Sequence, residues 1–408
     1  MTPIRLLLFS LSLILLSCQP KMYQFTDYDF ELKGFDWDES NYKFPQFIQD
    51  SVITKYGNQY AAWDYAYIGD IKRLHETWDI SASPRDSLSK GAIDTFRTYR
   101  AVKAIDYILE AAKEEQIVII NEAHHMPQHR VFTTRLLEGL QQHGFKHLGL
   151  EAYYAYNKND SMLQVKGYPT LTSGFYTKDP QFGQMIRKAH QLGFGIFGYE
   201  SEGHAGGKER EINQARNIEQ FLKAHPGEKF LIHCGFAHAF EGNLGGQWEK
   251  AMAGRLAEYT GIDPLTISQT DYSERSQRAF ERPQYKITDV EAPTVYLKEE
   301  NQPVTVTRND GGFDLAVFHP RTKMKDGRAQ WLVYGDRKVV PFAFPNLNLE
   351  PPYLVFAYVK GEEVGHAVPL DIQFSETKAA NLVLHPGEYN IVVWNEEGRA
   401  VLTEIVVK

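Results

Sequence analysis

Short apolar runs alternate with amphipathic stretches through the middle of the chain, and that alternation points to a fold class. "IVII" at 117–120, "HLGL" at 147–150, "FGIFGY" at 194–199, "KFLIHC" at 229–234 and "PLTIS" at 264–268 are apolar over the length of a strand. Between them, at about 128–143, 180–192, 209–224 and 247–259, apolar residues recur at three- and four-residue steps, the period of a helix lying on a core. Strands that do not alternate with polar residues are strands covered on both faces. The pattern therefore predicts βαβ units: an α/β fold, a mostly parallel sheet with helices on both faces. Two more helical patterns precede the first strand, "YGNQYAAWDYAYIGDIKRLHETWD" and "DTFRTYRAVKAIDYILEAAKEEQ".

Past residue 275 the period changes. "PTVYLKEENQPVTVTR", "FDLAVFHP" and "AQWLVYG" read as strands, and strand and turn signals then run from "PYLVFAYVKGEEVGH" to the last residue. "NEEG" between two alternating runs predicts a hairpin, and nothing after 345 has a helical period. The expected organisation is an α/β domain over 50–343 and a small C-terminal β-sandwich over 344–408, divided at the proline- and asparagine-rich "FAFPNLNLEPPY". Residues 18–49 are polar and aromatic without a sustained period, and are expected as a tether.

The N-terminus adds an address. "MTPIRLLLFSLSLILLSC" has one basic residue, Arg5, and an apolar run from Leu6 to Leu16, too short to span a bilayer and of signal-peptide proportions. Ser17 before Cys18 resembles a lipobox. The expectation is a lipoprotein-type signal peptide over 1–17, lipidation of Cys18, and a lipid-anchored protein on the periplasmic or surface side of a bacterial membrane. Cys234 is the other cysteine of the chain, so with Cys18 lipidated no disulfide forms and stability must come from the core. A net charge of −8 argues against nucleic acid as a partner and against electrostatic docking on anionic lipid.

In an open parallel sheet, ligands bind beyond the carboxyl ends of the strands. There the chain places Glu122, His124 and His125 in "NEAHH", Glu151 in "LGLEAYY", Glu200 and Glu202 in "GYESEGH", then His233 and His238, then Gln269 and Asp271. Carboxylates and imidazoles gathered in one crevice shift one another's pKa values and are hard to retain for stability alone. Glu122, His124 or His125, Glu151 and His238 are thus expected to share a site. An imidazole oriented by a carboxylate is a general base for water. His124 or His125, held by Glu122 or Glu151, suits that role, with His238 as the second base or acid. Arg130 or Arg135, on the helix after the first strand, would hold a substrate carboxylate or a developing oxyanion. The set Glu122, His124, Glu151 and His238 would equally suit zinc, manganese or cobalt, but no tight spacing such as H-E-x-x-H occurs, so a divalent metal is left open. Cys234 and His233 read as core residues.

Four of these pieces, in order, resemble a known superfamily. "NEAHH" with "HR", "GFKHLGLE", and "REINQARNIEQFLKAHPGEKFLIHCGFAHA" are similar to the motifs joining erythromycin-esterase-like enzymes, ChaN-like haem-uptake proteins and Tiki proteases, with "FDLAVFHPRT" resembling the closing strand of the esterase-like members. The likeness covers about 117–322. It aligns Glu122 with His124 or His125, then Glu151, then Arg210, Glu211, Ala215 and Asn217, then Gly235 and His238; Asn121 stands where the pattern has glycine, and Glu211 where it has aspartate. The resemblance implies that Arg210 points at the site; with Arg130, Arg135 and Glu200, which follows the third strand, it is a substrate-binding candidate. It implies ester or amide hydrolysis of a small molecule or peptide at the cell envelope, metal-free in the esterase-like branch and metal-dependent in the Tiki branch. Two alternatives accompany it: a haem-binding uptake lipoprotein, with a tyrosine of "EAYYAYNKND" on the iron, and a non-catalytic surface module that binds a partner through its β-sandwich.

Overall fold

In the computed structural model, which describes residues 23–34, 42–153, 161–201, 203, 206–308 and 310–408, the chain is mixed α/β, built around one large mixed sheet. The strands that matter below, in chain order, are β1 Thr26–Tyr28, β2 Arg100–Lys103, β3 Ile117–Glu122, β4 Phe145–Leu150, β5 Gly195–Gly198, β6 Lys229–Gly235, β7 Leu265–Tyr272, β8 Thr294–Leu297 and β9 Leu315–Phe318. Six more follow: β10 Lys338–Ala343, β11 Tyr353–Val359, β12 Asp371–Ser375, β13 Ala379–Leu384, β14 Gly387–Asn395 and β15 Ala400–Val407. The helices that matter below are α1 Asn58–Tyr67, α2 Ile71–Trp78, α3 Ala104–Ala111, α4 Pro127–Gln142, α5 Pro180–Gln191, α6 Gly207–Ala224 and α7 Met252–Thr260.

The large sheet has the order β2-β8-β9-β7-β3-β6-β4-β5. β3 pairs in parallel with β6 and β7, β4 with β6 and β5, and β9 with β7, while β8 runs antiparallel to β9 and β2. Along β3 the side chains divide. Val118 and Ile120 pack with Phe132, Leu136 and Ile186 of α4 and α5, whereas Ile117 and Ile119 pack with Ala215, Ile218 and Leu256 of α6 and α7. Both sides being covered, every residue of β3 is buried, which is why its sequence shows no polar alternation until Asn121.

Several elements differ from the sequence pattern. The helical reading of 94–116 is interrupted by β2, which supplies hydrogen-bond partners to the outer edge of β8, and α3 begins only at Ala104. The first helical pattern breaks at Gly69, whose φ of +74° no helix accommodates, and restarts at α2 with the Asp70 side chain capping Arg73 N–H. "AQWLVYG" forms a 3-10 turn at Gln330–Leu332 rather than a strand, and α7 starts at Met252 because Asn243–Gly245 and Glu249–Lys250 form a small hairpin ahead of it.

The C-terminal strands form a five-stranded antiparallel sheet, β1-β15-β14-β11-β12, and a β10-β13 pair. Val355, Ile391, Val393 and Ile405 of the first pack with Phe342, Leu382 and Leu384 of the second. The opposite face is buried too: Leu354, Phe356, Tyr358 and Val392 pack on Ile48, Trp63, Tyr65 and Leu74, and on Ala123 and Met126 in the loop after β3. Two expectations are corrected here. Part of the 18–49 stretch is no tether, because Thr26–Tyr28 is the edge strand β1 and Tyr42 and Phe44 are buried in that core. The division at 344 falls too late, since β10 belongs by its pairing with β13 to the C-terminal strands. Residues 1–17 and Cys18, where the signal peptide and lipidation site are expected, lie outside the described residues; among the described ones no helix is long and apolar enough to cross a membrane.

Candidate active site

The crevice lies where the chain reverses direction across the sheet. From β3 it moves outward to β4 and β5, returns to insert β6 between β3 and β4, and then crosses to β7 on the other side of β3. The loops leaving β3, β4, β5 and β6 therefore converge.

At the end of β3, Glu122 is 1% exposed and fully engaged. Arg130, one turn into α4, donates from Nε to Glu122 Oε2 and from Nη2 to Oε1, both at 2.7 Å, and its Nη1 lies 3.2 Å from Asp179 Oδ1. Burial opposes charge on Glu122, but Arg130, His124 and His233 outweigh it and hold the carboxyl well below its ordinary range. His124 Nδ1 sits 2.9 Å from Glu122 Oε1. Because that carboxylate is ionised, Nδ1 is the donor of this bond, so that in a neutral ring Nε2 carries the lone pair. The His124 ring is stacked on Tyr176 at 3.8 Å and meets Trp63 and Phe236 edge-on. It lies over Gly235, where a Cβ would stand 2.4 Å from Nε2 and 3.3 Å from Glu151 Oε2, so only glycine lets the imidazole and Glu151 face each other.

On the far side of Gly235 is a second charged group. Glu151 Oε2 accepts from Gly235 N–H at 2.5 Å and Oε1 accepts from Arg210 Nη2 at 2.6 Å. Arg210 also donates from Nε to Glu200 at 3.0 Å, and Gln214 donates to the same carboxylate. His238 donates from Nδ1 to Glu211 Oε2 at 2.9 Å, and its Nε2 accepts from Arg210 Nη1 at 2.9 Å while lying 3.4 Å from Glu151 Oε1. Burial works against charge in this group, but His238 and Arg210 outweigh it at Glu151, pulling its carboxyl down to about 2, and Glu151 and Glu211 outweigh it at His238, raising its pKa. Neutral His238 bonds Arg210; protonated at Nε2 it must release Arg210 and turn to Glu151. Above the two groups is a pocket of about 330 Å³ walled by Tyr60 and Trp63 of α1 with Phe175 and Tyr176, and floored by Glu151, Glu200 and Arg210.

The structure brings together Glu122, His124, Glu151, Glu200, Arg210 and His238. It separates the rest. His125 is buried under Trp78, stacked at 3.7 Å, and burial with the nearby His75 keeps it neutral, so His124 is the histidine of the doublet that faces the site. Arg130 is corrected from substrate holder to a fully buried clamp on Glu122, and Arg135 is exposed on α4 and lines a different cleft. Asp271 is drawn to Arg282, and Gln269 into a buried network with Asn121 and His319. Cys234 is buried beside Glu151 and Glu211, its thiol pushed far up, the wrong direction for a nucleophile. Tyr153 is buried, while Tyr154 and Tyr156 lie outside the described residues. Sequence reasoning aligned Glu211 with the motif but gave it no role in the site, and it did not single out Asp179 or the aromatic walls. The donors do not suit a metal: Glu122 and Glu151 each already answer a guanidinium, and among the described residues no group of three or more His, Cys, Asp or Glu side chains is arranged to hold an ion.

Burial also leaves a pH signature. His233, beside Glu122, is pushed down to about 4, and His319 to about 3, from an ordinary 6.5. The unfolded chain takes these protons near 6.5 and the folded one does not, so stability is expected to fall as pH drops from 6.5 toward 4, by roughly 1.4 kcal/mol per unit for each histidine. Urea unfolding of His319→Gln between pH 7 and 4 should show a flatter decline than the parent; an identical slope would mean His319 protonates as readily folded as unfolded.

No family model and no curated protein matches the chain. Solved structures similar to it include the type III effector HopBA1, at 14% identity over 43% of this chain and 88% of that one with a TM-score of 0.31. RRSP, a MARTX toxin effector domain from Vibrio vulnificus CMCP6, is 14% identical over 64% of this chain and 48% of its own, with a TM-score of 0.30. The C-terminal region of Pasteurella multocida toxin is 8% identical over 82% and 51%, with a TM-score of 0.33. Likenesses this loose bear on neither the activity nor the site residues of this chain.

Proposed function

We propose that the protein is an ester or amide hydrolase of the erythromycin-esterase-like kind, acting on a small molecule or peptide through water activated by His124. Its scaffold we read as a mostly parallel sheet with helices on both faces, followed by a small C-terminal β-sandwich. The observation that carries the proposal is the hydrogen bond between His124 Nδ1 and an ionised, arginine-clamped Glu122, with the imidazole stacked on Tyr176, a wall of the pocket above Glu151.

In this reading His124 Nε2 takes a proton from water as the oxygen attacks the substrate carbonyl. Glu122 holds the ring in the correct tautomer and stabilises the imidazolium that forms. Arg210 supplies N–H donors and positive charge where the carbonyl oxygen becomes negative. Protonated His238, a form that Glu151 and Glu211 favour by raising its pKa, releases Arg210 and delivers its Nε2 proton to the leaving alcohol or amine. Tyr60, Trp63, Phe175 and Tyr176 pack on the substrate and reduce the water around the reacting groups.

The test is a panel of esters and peptides given to the full-length chain in detergent, with and without a chelator. Turnover of at least one compound, indifferent to the chelator and lost in His238→Ala, is expected. Turnover abolished by the chelator would sink the metal-free reading. A Soret shift on adding haem, with nothing in the panel hydrolysed, would replace the hydrolase with the haem binder.

A further inference from the structure

A cleft of about 550 Å³ opens between the outer sides of α4 and α5 and the turn leading into β10, lined among others by Arg135, Gln184, Lys188, Tyr334 and Arg337. It shares no lining residue with the pocket above Glu151. At its base, Arg337 is 3% exposed and carries a charge that no carboxylate among the described residues answers. Its Nη1 donates to Gln181 Oε1 at 2.7 Å and its Nη2 to the Val383 carbonyl at 3.0 Å, both neutral acceptors, and its Nε is buried without a partner among the described residues. Two further buried atoms of the lining side chains lack hydrogen-bond partners among the described residues: the Tyr334 hydroxyl, whose ring lies 5.4 Å from the Arg337 guanidinium, and Gln184 Oε1.

The rim adds charge of the same sign. Arg135 is exposed and enters no ion pair with a described residue, and Lys188 stands 3.5 Å from Glu138 with a third of its side chain in solvent. Glu138 and Asp336 are the acidic members of the wall. A buried guanidinium that meets only neutral acceptors is costly, and a planar, doubly bonding anion is the partner its fork fits best. Tyr334 has a proton to donate to such an anion, whereas Gln184 Oε1 needs a donor from it, which a hydroxyl supplies.

We infer that this cleft is a second binding site, for a small organic anion that carries two or more carboxylates, or a phosphate, together with a hydroxyl group. Arg337 holds the anion at the base, Arg135 and Lys188 hold it at the rim, and Gln184 accepts the hydroxyl. The site is independent of the proposed hydrolysis, and its occupant bridges the α4–α5 face and the start of the C-terminal strands.

Calorimetric titration of the full-length chain with citrate, tricarballylate and inorganic phosphate tests this. Citrate or phosphate should saturate one site, and the one that does assigns carboxylate or phosphate as the recognised group. Arg135→Gln and Lys188→Gln, both at solvent-facing positions and so expected to fold, should each weaken that binding about tenfold. If citrate is the ligand, tricarballylate, which lacks its hydroxyl, should bind more weakly to the parent and equally to Gln184→Ala. The inference is overturned if neither citrate nor phosphate saturates, if both rim variants bind like the parent, or if Arg210→Gln abolishes binding, which would place the anion in the pocket above Glu151.

Discussion

His124→Asn is expected to lower kcat, on whichever ester or amide the chain turns over, by about 10²–10⁴-fold while KM changes little. Asparagine keeps an N–H that can reach Glu122 Oε1 and fills much of the space between Tyr176 and Gly235. What it lacks is a proton acceptor able to serve as a base near neutral pH. The partner experiment is His125→Asn. That ring is stacked under Trp78 and kept neutral by burial, so its loss should leave kcat near the parent value. Equal losses in the two variants, or a kcat within about threefold of the parent for His124→Asn, would remove His124 from the role of base.

Glu122→Ala should cost about 3–5 kcal/mol of stability, read from urea unfolding, because it strands a guanidinium that has no exposure to water. Arg130 would lose both of its 2.7 Å bonds to the carboxylate and keep only the His124 carbonyl and the neighbouring Asp179. Glu122→Gln, which retains an acceptor, should lose less stability but comparable activity, since the imidazolium of His124 is no longer neutralised. The carboxyl is held far below its ordinary value, so its contribution is complete above pH 4.5 and is lost only as the pH falls through that lowered value. A Glu122→Ala loss below about 1 kcal/mol would mean that Arg130 finds another partner, and that the clamp is incidental.

Most of the central scaffold was legible because the chain needs apolar strands wherever helices cover both sides of a sheet. The same logic hid the role of Glu211, a residue that the motif resemblance aligned without showing what it holds. It occupies the stripe 211, 215, 218 and 222 that α6 turns inward, a place where the helical period asks for an apolar residue, and it is there to hold His238 Nδ1 and Met252 N–H. A carboxylate on the buried stripe of a helix was the available signal. The choice between His124 and His125 was not available, since it depends on Trp78 and Tyr176, which lie far from the doublet in sequence. Asn121 is a similar case. It stands at the glycine position of the motif because its side chain bonds Gln269 N–H at 2.7 Å and the Phe236 carbonyl at 2.5 Å, pinning a residue held at a φ of +41° just ahead of His238. Those partners are 148 and 115 residues away. The aromatic walls were invisible for a related reason: α1 buries seven of its ten residues, so no polar face distinguished the residues facing the pocket from those facing the core.

The seating of α1 on the C-terminal sheet also sets an order of events during synthesis. Trp63, which walls the pocket, packs in one cluster with Leu354, Phe356 and Val392, and β1 hydrogen-bonds to β15, pairing Thr26 with Leu402. The first contact needs β11 and β14 and the second needs β15, so neither exists until these C-terminal strands have left the ribosome. At 5–20 residues per second, the wait between Thr26 and Leu402 is roughly 20–75 s. The pocket wall is thus among the last parts of the molecule to form, and contacts of such long sequence separation close slowly. The wall that Trp63 contributes is consequently unsupported for most of the chain's synthesis.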